Sequence, residues 1–172
     1  YFLFEFEEHI HQQDYSRDFA IISWDKFFET SIEHIMPKTY QDYWSDTMSN
    51  YLSQKSFSEE ERYVAIKTLL NSLGNLTIIR DKKNSSLGNN PWETKVKAYA
   101  NGSFSERQIS SKTEWHPWSA ESILNRGKVL LKYLIDYLDV VIIAEEKKET
   151  YEAEMLFGAL KYVPGTANEA ED

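Results

Sequence analysis

The 172-residue sequence contains no cysteine. That excludes a disulfide scaffold, a thiolate zinc site and a cysteine nucleophile, and it fits a reducing compartment. No run approaches the ~18 apolar residues of a membrane span, and no basic stretch precedes an apolar core, so neither a transmembrane helix nor a signal peptide is expected. Internal repeats are absent as well. Positive charge is scarce: 19 Lys and Arg against 28 Asp and Glu give a net charge of −9. On that balance alone an autonomous nucleic-acid binder is not expected, because non-specific affinity for a phosphate backbone comes mainly from Lys and Arg. The initiator Met is also lacking. The opening Tyr1-Phe2-Leu3-Phe4 lies inside an amphipathic segment, so the chain is expected to be a piece of a longer protein.

What is present is enough for a folded domain. An apolar fraction of 41% with 11 Tyr, 9 Phe and 5 Trp excludes general disorder, and the length fits one domain. A soluble cytoplasmic domain is the expectation. The charge is unevenly spread. Residues 1–75 carry 6 basic and 13 acidic side chains, residues 76–132 carry 10 and 5, and residues 133–172 carry 3 and 10. A basic middle between acidic flanks can create a local field opposite in sign to the total.

Periodicity predicts the elements. Phe2, Leu3, Phe6 and Ile10 recur at helical spacing, and Ser31 to Ile35 reads as a short strand leading into Pro37. Tyr40, Tyr43, Trp44 and Tyr51 suggest a helix. Ser58 and Glu61 form a capping box before a helix with Tyr63, Ile66, Leu69, Leu70 and Leu73 on its apolar face, ending at Gly74. Leu76 to Ile79 is strand-like, residues 80–90 are a loop or the start of a helix, and Pro91 suits the first turn of a helix reaching Ala100. Ser119 is an N-cap for a long helix over about residues 119–138. Residues 163–172 read as a disordered acidic tail.

Three short stretches carry chemistry: Ile32-Glu33-His34-Ile35-Met36-Pro37, Gly74-Asn75-Leu76-Thr77 and Asn84-Ser85-Ser86-Leu87-Gly88-Asn89. Phosphodiester hydrolysis needs an activated water, a cation to neutralise charge on the phosphorus centre, and rigid placement of both. A neutral imidazole can take the water's proton, and hard oxygen donors suit Mg²⁺. In this order the stretches resemble an HNH (His-Me finger) nuclease. With Trp92, Lys95, Tyr99, Trp118, Ser119, Glu121, Ile123 and Arg126, they are similar to the C-terminal nuclease domain of GmrSD-type restriction proteins, over about residues 1–138. Gly88 stands where Ser is commoner in that family and Trp92 where Phe is.

The resemblance implies an α+β fold, mostly helical, around a small ββα-metal core at about residues 31–100, within a nuclease domain spanning residues 1–162. It implies His34 as general base, Asn75 as the residue positioning its loop, and Glu33 and Asn84 as ligands of one Mg²⁺, with Mn²⁺ as a substitute. Strand alternation by itself would send Glu33 and His34 to opposite faces. Lys95, Lys83 and Arg80 are the candidate phosphate contacts. The implied substrate is phage or other invading DNA, bound weakly by this domain, and the implied partner is an N-terminal sensor domain of the same protein that uses nucleotide. Two alternatives keep the fold and change the function: a catalytically silent docking module, or an RNase toxin using the same site. His9 and His11 diverge on a helix and His116 lies between Trp115 and Pro117, so no metal role is assigned to them. Trp44, Trp92, Trp115 and Trp118 are expected in the core, and Arg126 is expected as a buried ion-pair partner.

Overall fold

The computed structural model describes residues 1–13, 22–139 and 148–158; the expected acidic tail lies outside the described residues. The elements, in chain order, are α1 (Phe2–Gln13), a 3₁₀ turn (Trp24–Glu29), β1 (Thr30–His34), α2 (Ser45–Ser53), α3 (Glu59–Asn71), a 3₁₀ turn (Leu73–Asn75), β2 (Leu76–Arg80), α4 (Asp81–Leu87), α5 (Trp92–Tyr99), α6 (Phe104–Ser111), a 3₁₀ turn (Thr113–Trp115), α7 (Ala120–Tyr137) and α8 (Lys148–Phe157). The architecture is α+β and mostly helical, around one antiparallel pair in which Glu33 faces Thr77 and His34 faces Leu76.

The two strands divide the interior. Ile79 belongs to the main core with Trp44, Tyr99, Trp118 and Ile123, whereas Ile78 packs on the other face with Phe4 and Ile22. This is the period-2 alternation of a pleated strand. All four tryptophans expected in the core, Trp44, Trp92, Trp115 and Trp118, are buried. Trp92 and Trp118 stack with ring centroids 5.5 Å apart.

Local signals explain most helix starts. Ser58 accepts from the Glu61 amide while Glu61 returns to the Ser58 amide, as the capping box predicts. Ser119 likewise accepts from the amide of Ser122 at the head of α7. On α3, however, Tyr63 is 68% exposed, and the buried stripe is Ala65, Leu69 and Leu70. Tyr63 lies two positions before Ala65, about 200° around the helix, so the face centred on the small alanine turns the tyrosine outward. Helix α6 goes beyond the elements that periodicity predicts. Its Ser103–Glu106 capping box carries the same signature as that of α3.

Two contacts fix the strand that follows α3. A Cβ on Gly74 would lie 1.8 Å from the Ile123 carbonyl oxygen and 2.8 Å from the Gly127 nitrogen, so only glycine lets this turn rest against α7. Arg126, fully buried on α7, donates from Nη1 to the carbonyls of Gly74 at 2.8 Å and Leu76 at 2.7 Å. It therefore holds backbone rather than the ion pair expected of it. Burial pushes its guanidinium down to about 9, opposed by Tyr99 and Glu7. Glu7 in turn caps α6, accepting from the amides of Phe104 at 2.6 Å and Ser105 at 2.8 Å, which ties α1 to the rest of the domain.

Candidate active site

The site is built at the C-terminal end of β1, where the adjacent turn grips the chain. Asn75 is fully buried. Its Oδ1 accepts from the Met36 amide at 2.8 Å, and its Nδ2 donates to the carbonyls of Met36 and Leu70, each at 2.9 Å. Trp118 Nε1 donates to the same Oδ1 at 3.3 Å, and the Asn75 carbonyl accepts from the Ile35 amide at 3.0 Å. An amide has matched donor and acceptor sides, so one Asn side chain fixes both polar groups of Met36. The two residues after His34 are thereby immobilised.

Glu33 and His34 point differently, as strand alternation requires. Glu33 is 4% exposed and lies under the sheet. Its Oε1 accepts from Lys95 Nζ at 2.6 Å and from the Tyr99 hydroxyl at 3.0 Å; among the described residues no hydrogen bond to Oε2 is found. Burial pushes the Glu33 carboxyl up and the Lys95 ammonium down, and their mutual attraction opposes both shifts. Lys95 and Tyr99 are one helical turn apart on α5, which is why both reach a single carboxylate. In the sequence Tyr99 is no more than a position shared with the family; its spacing from Lys95 is the signal that points to this role.

His34 is half-buried, with Nε2 3.4 Å from Asn71 Oδ1 at the end of α3. Burial chiefly, with the charges of Lys38 and Lys95, pushes its imidazole below the ordinary histidine range; the Asn71 hydrogen bond opposes this. Lys95 joins the two halves of the site, because its ammonium also donates to the His34 carbonyl at 3.1 Å.

Asn84 lies on α4, the helix that follows β2 directly. Its Nδ2 donates to Ser31 Oγ at 2.8 Å and to the Ile32 carbonyl at 3.2 Å. Ser31 and Glu33 share a face of β1, so the structure brings Asn84 and Glu33 to the same side of that strand. Among the described residues no hydrogen bond to Asn84 Oδ1 is found.

The expected phosphate contacts divide. Lys95 is 0% exposed, and its ammonium is engaged by Glu33. Lys83 is also turned inward: Nζ donates to the Ala98 carbonyl at 2.8 Å and pairs with the buried Glu106. Both placements have one cause, since buried carboxylates demand a cation and a lysine on the facing helix supplies it. Arg80, Lys82 and Lys97 remain exposed. The basic middle segment therefore presents less charge to solvent than its composition suggests.

No group of three or more His, Cys, Asp or Glu that could hold a metal ion is found among the described residues. Glu33 and Asn84, the ligands that the family resemblance implies, offer one carboxylate and one amide group as oxygen donors. This suits a hard cation that keeps most of its shell as water and substrate phosphate, as Mg²⁺ does. No helix among the described residues is long and apolar enough to cross a membrane.

The structure thus defines a small α+β domain with a histidine, a buried carboxylate and two fixed amides gathered around one two-stranded sheet. The chain belongs to the family of GmrSD restriction endonucleases, C-terminal domain, which matches residues 1–133. Comparison with curated proteins and with solved structures returned no match.

Proposed function

We propose that this domain is a metal-dependent DNA endonuclease with an HNH-type ββα-metal core. The antiparallel β1–β2 pair running directly into α4, with Asn84 anchored back onto β1, carries the reading. His34 acts as general base: the water's proton moves to its imidazole, the water oxygen bonds to phosphorus, and the bond from phosphorus to the leaving sugar oxygen breaks. That oxygen is reprotonated from solvent. The unengaged Oε2 of Glu33 and Oδ1 of Asn84 would hold Mg²⁺, or Mn²⁺ in its place; a cation there supplies charge neutralisation at the phosphorane. Asn75 fixes the loop that follows His34, and Lys95 orients Glu33 instead of touching phosphate. Exposed Arg80, Lys82 and Lys97 meet the DNA backbone.

Membership in a restriction endonuclease family supports invading DNA as substrate, cut or nicked in the cytoplasm, with an N-terminal sensor domain of the same protein directing it. The test is plasmid nicking in Mg²⁺. His34→Ala should lose about 10²–10⁴-fold in rate. Nicking by that variant at the wild-type rate would sink the reading.

One observation favours the docking alternative: Glu33 is already neutralised by Lys95, as a carboxylate kept for structure would be. Calorimetry separates the two. Mg²⁺ or Mn²⁺ heat that disappears in Asn84→Ala supports the nuclease, and absence of heat in both proteins supports docking.

A further inference from the structure

Asn71 lies at the C-terminal end of α3, just before the Gly74-Asn75-Leu76-Thr77 stretch but outside it, and its side chain is exposed. It nevertheless makes two directed contacts. Its Nδ2 donates to the Lys67 carbonyl one turn back at 2.7 Å, and its Oδ1 lies 3.4 Å from His34 Nε2. The first contact decides the second. A flipped amide would press Oδ1 against the Lys67 carbonyl oxygen, so the amide is fixed with its acceptor toward the histidine. An acceptor facing Nε2 requires the ring proton there and leaves the lone pair on Nδ1.

We propose that Asn71 is a positioning residue, which selects the Nε2–H tautomer of His34 and so makes Nδ1 the atom that receives the water's proton. The inference rests on the general-base reading of His34. The separation of 3.4 Å is long for a hydrogen bond, as catalytic contacts often are before substrate is bound. The arrangement also explains why α3 must end where it does. Its last residue, three positions before the Gly74 contact on α7, is the one that reaches the imidazole.

The test is long-range ¹H–¹⁵N correlation of the histidine rings in the free protein, at a pH where they are neutral, alongside plasmid nicking in Mg²⁺. Wild type should show His34 protonated at Nε2. Asn71→Leu removes the acceptor, and it should produce a mixture of tautomers and about tenfold slower nicking, with folding checked by circular dichroism. Asn71→Asp keeps an acceptor for Nε2 but loses the anchor to the Lys67 carbonyl, so it should restore the Nε2–H signal and part of the rate. A dominant Nδ1–H form in wild type, or an unchanged tautomer and rate in Asn71→Leu, would overturn the proposal. The ring signals do not depend on activity, so this failure is distinguishable from that of the parent reading. Unimpaired nicking by His34→Ala removes the general base, whereas a His34-dependent nuclease whose tautomer ignores Asn71 removes only the role of Asn71.

Discussion

Lys95 Nζ sits 2.6 Å from Glu33 Oε1, and both side chains are buried beneath the sheet. The pair sets the orientation of the carboxylate: Oε1 is held by both Lys95 and Tyr99. A buried pair of this kind costs much desolvation, and breaking it from one side is worse than replacing it.

Lys95→Ala should therefore destabilise the domain by about 3–5 kcal/mol, because it leaves Glu33 unpaired in the interior. The double variant Lys95→Met with Glu33→Gln should recover most of that stability and remain inactive. Urea denaturation of wild type and both variants checks the order. A double variant no more stable than Lys95→Ala would show that packing, and not the unpaired charge, sets the cost.

Asn75→Ala leaves the Met36 amide, the carbonyls of Met36 and Leu70, and Trp118 Nε1 without their partner. At about 1–3 kcal/mol for each buried group left unsatisfied, and with relaxation, destabilisation of ~3 kcal/mol or more is expected. Asn75→Asp should fare little better, since its second oxygen would face two carbonyls. The two unfolding midpoints decide it; an Asp variant as stable as wild type would remove the argument from donor and acceptor matching.

Gly74→Ala should fold poorly or not at all. The added Cβ would overlap the Ile123 carbonyl, and both partners are backbone, so neither can rotate away. Soluble yield and the cooperativity of thermal unfolding report this, and a cooperative transition at the wild-type temperature would contradict the packing described for α7.

For DNA affinity the contrast lies between cations of one segment. Replacing Arg80, Lys82 and Lys97 together by Ala should make binding less sensitive to salt, lowering the log–log slope by about one unit for each phosphate that is no longer neutralised. Lys83→Ala should instead lower stability, because its ammonium pairs with buried Glu106, and leave the slope unchanged. Binding measured across a salt series distinguishes surface from interior cations directly.

Much of the secondary structure is legible without the fold. The Phe2-to-Ile10 spacing, the Ser58–Glu61 cap, the strand-like run from Leu76 and the Ser119 cap all lie where α1, α3, β2 and α7 are found. These are local signals, decided within a turn of helix or a few residues of strand. The same kind of cap, at Ser103 and Glu106, marks α6, so that helix too lies within reach of local signals. Tyr63 departs from its expected place because a sequence shows that a helix has an apolar face but not which of two overlapping faces the neighbours will cover.

The site divides along the same line. The order and spacing of His34, Asn75 and Asn84 belong to the sequence, as does the division of charge between a basic middle and acidic flanks. The direction each side chain takes does not. Lys95 and Lys83 look like surface cations until Glu33 and Glu106 are found buried opposite them, and Asn71 carries no motif at all until α3 ends against the imidazole. Burial and pairing depend on partners distant in the chain, whose approach is set by packing of α3, α5 and α7 around the sheet. Residue types and their spacing therefore determined which chemistry is available to this protein. Only the tertiary structure decided which charges face solvent and which hold one another, because the cost of an unpaired buried charge is a property of its surroundings and not of its position in the chain.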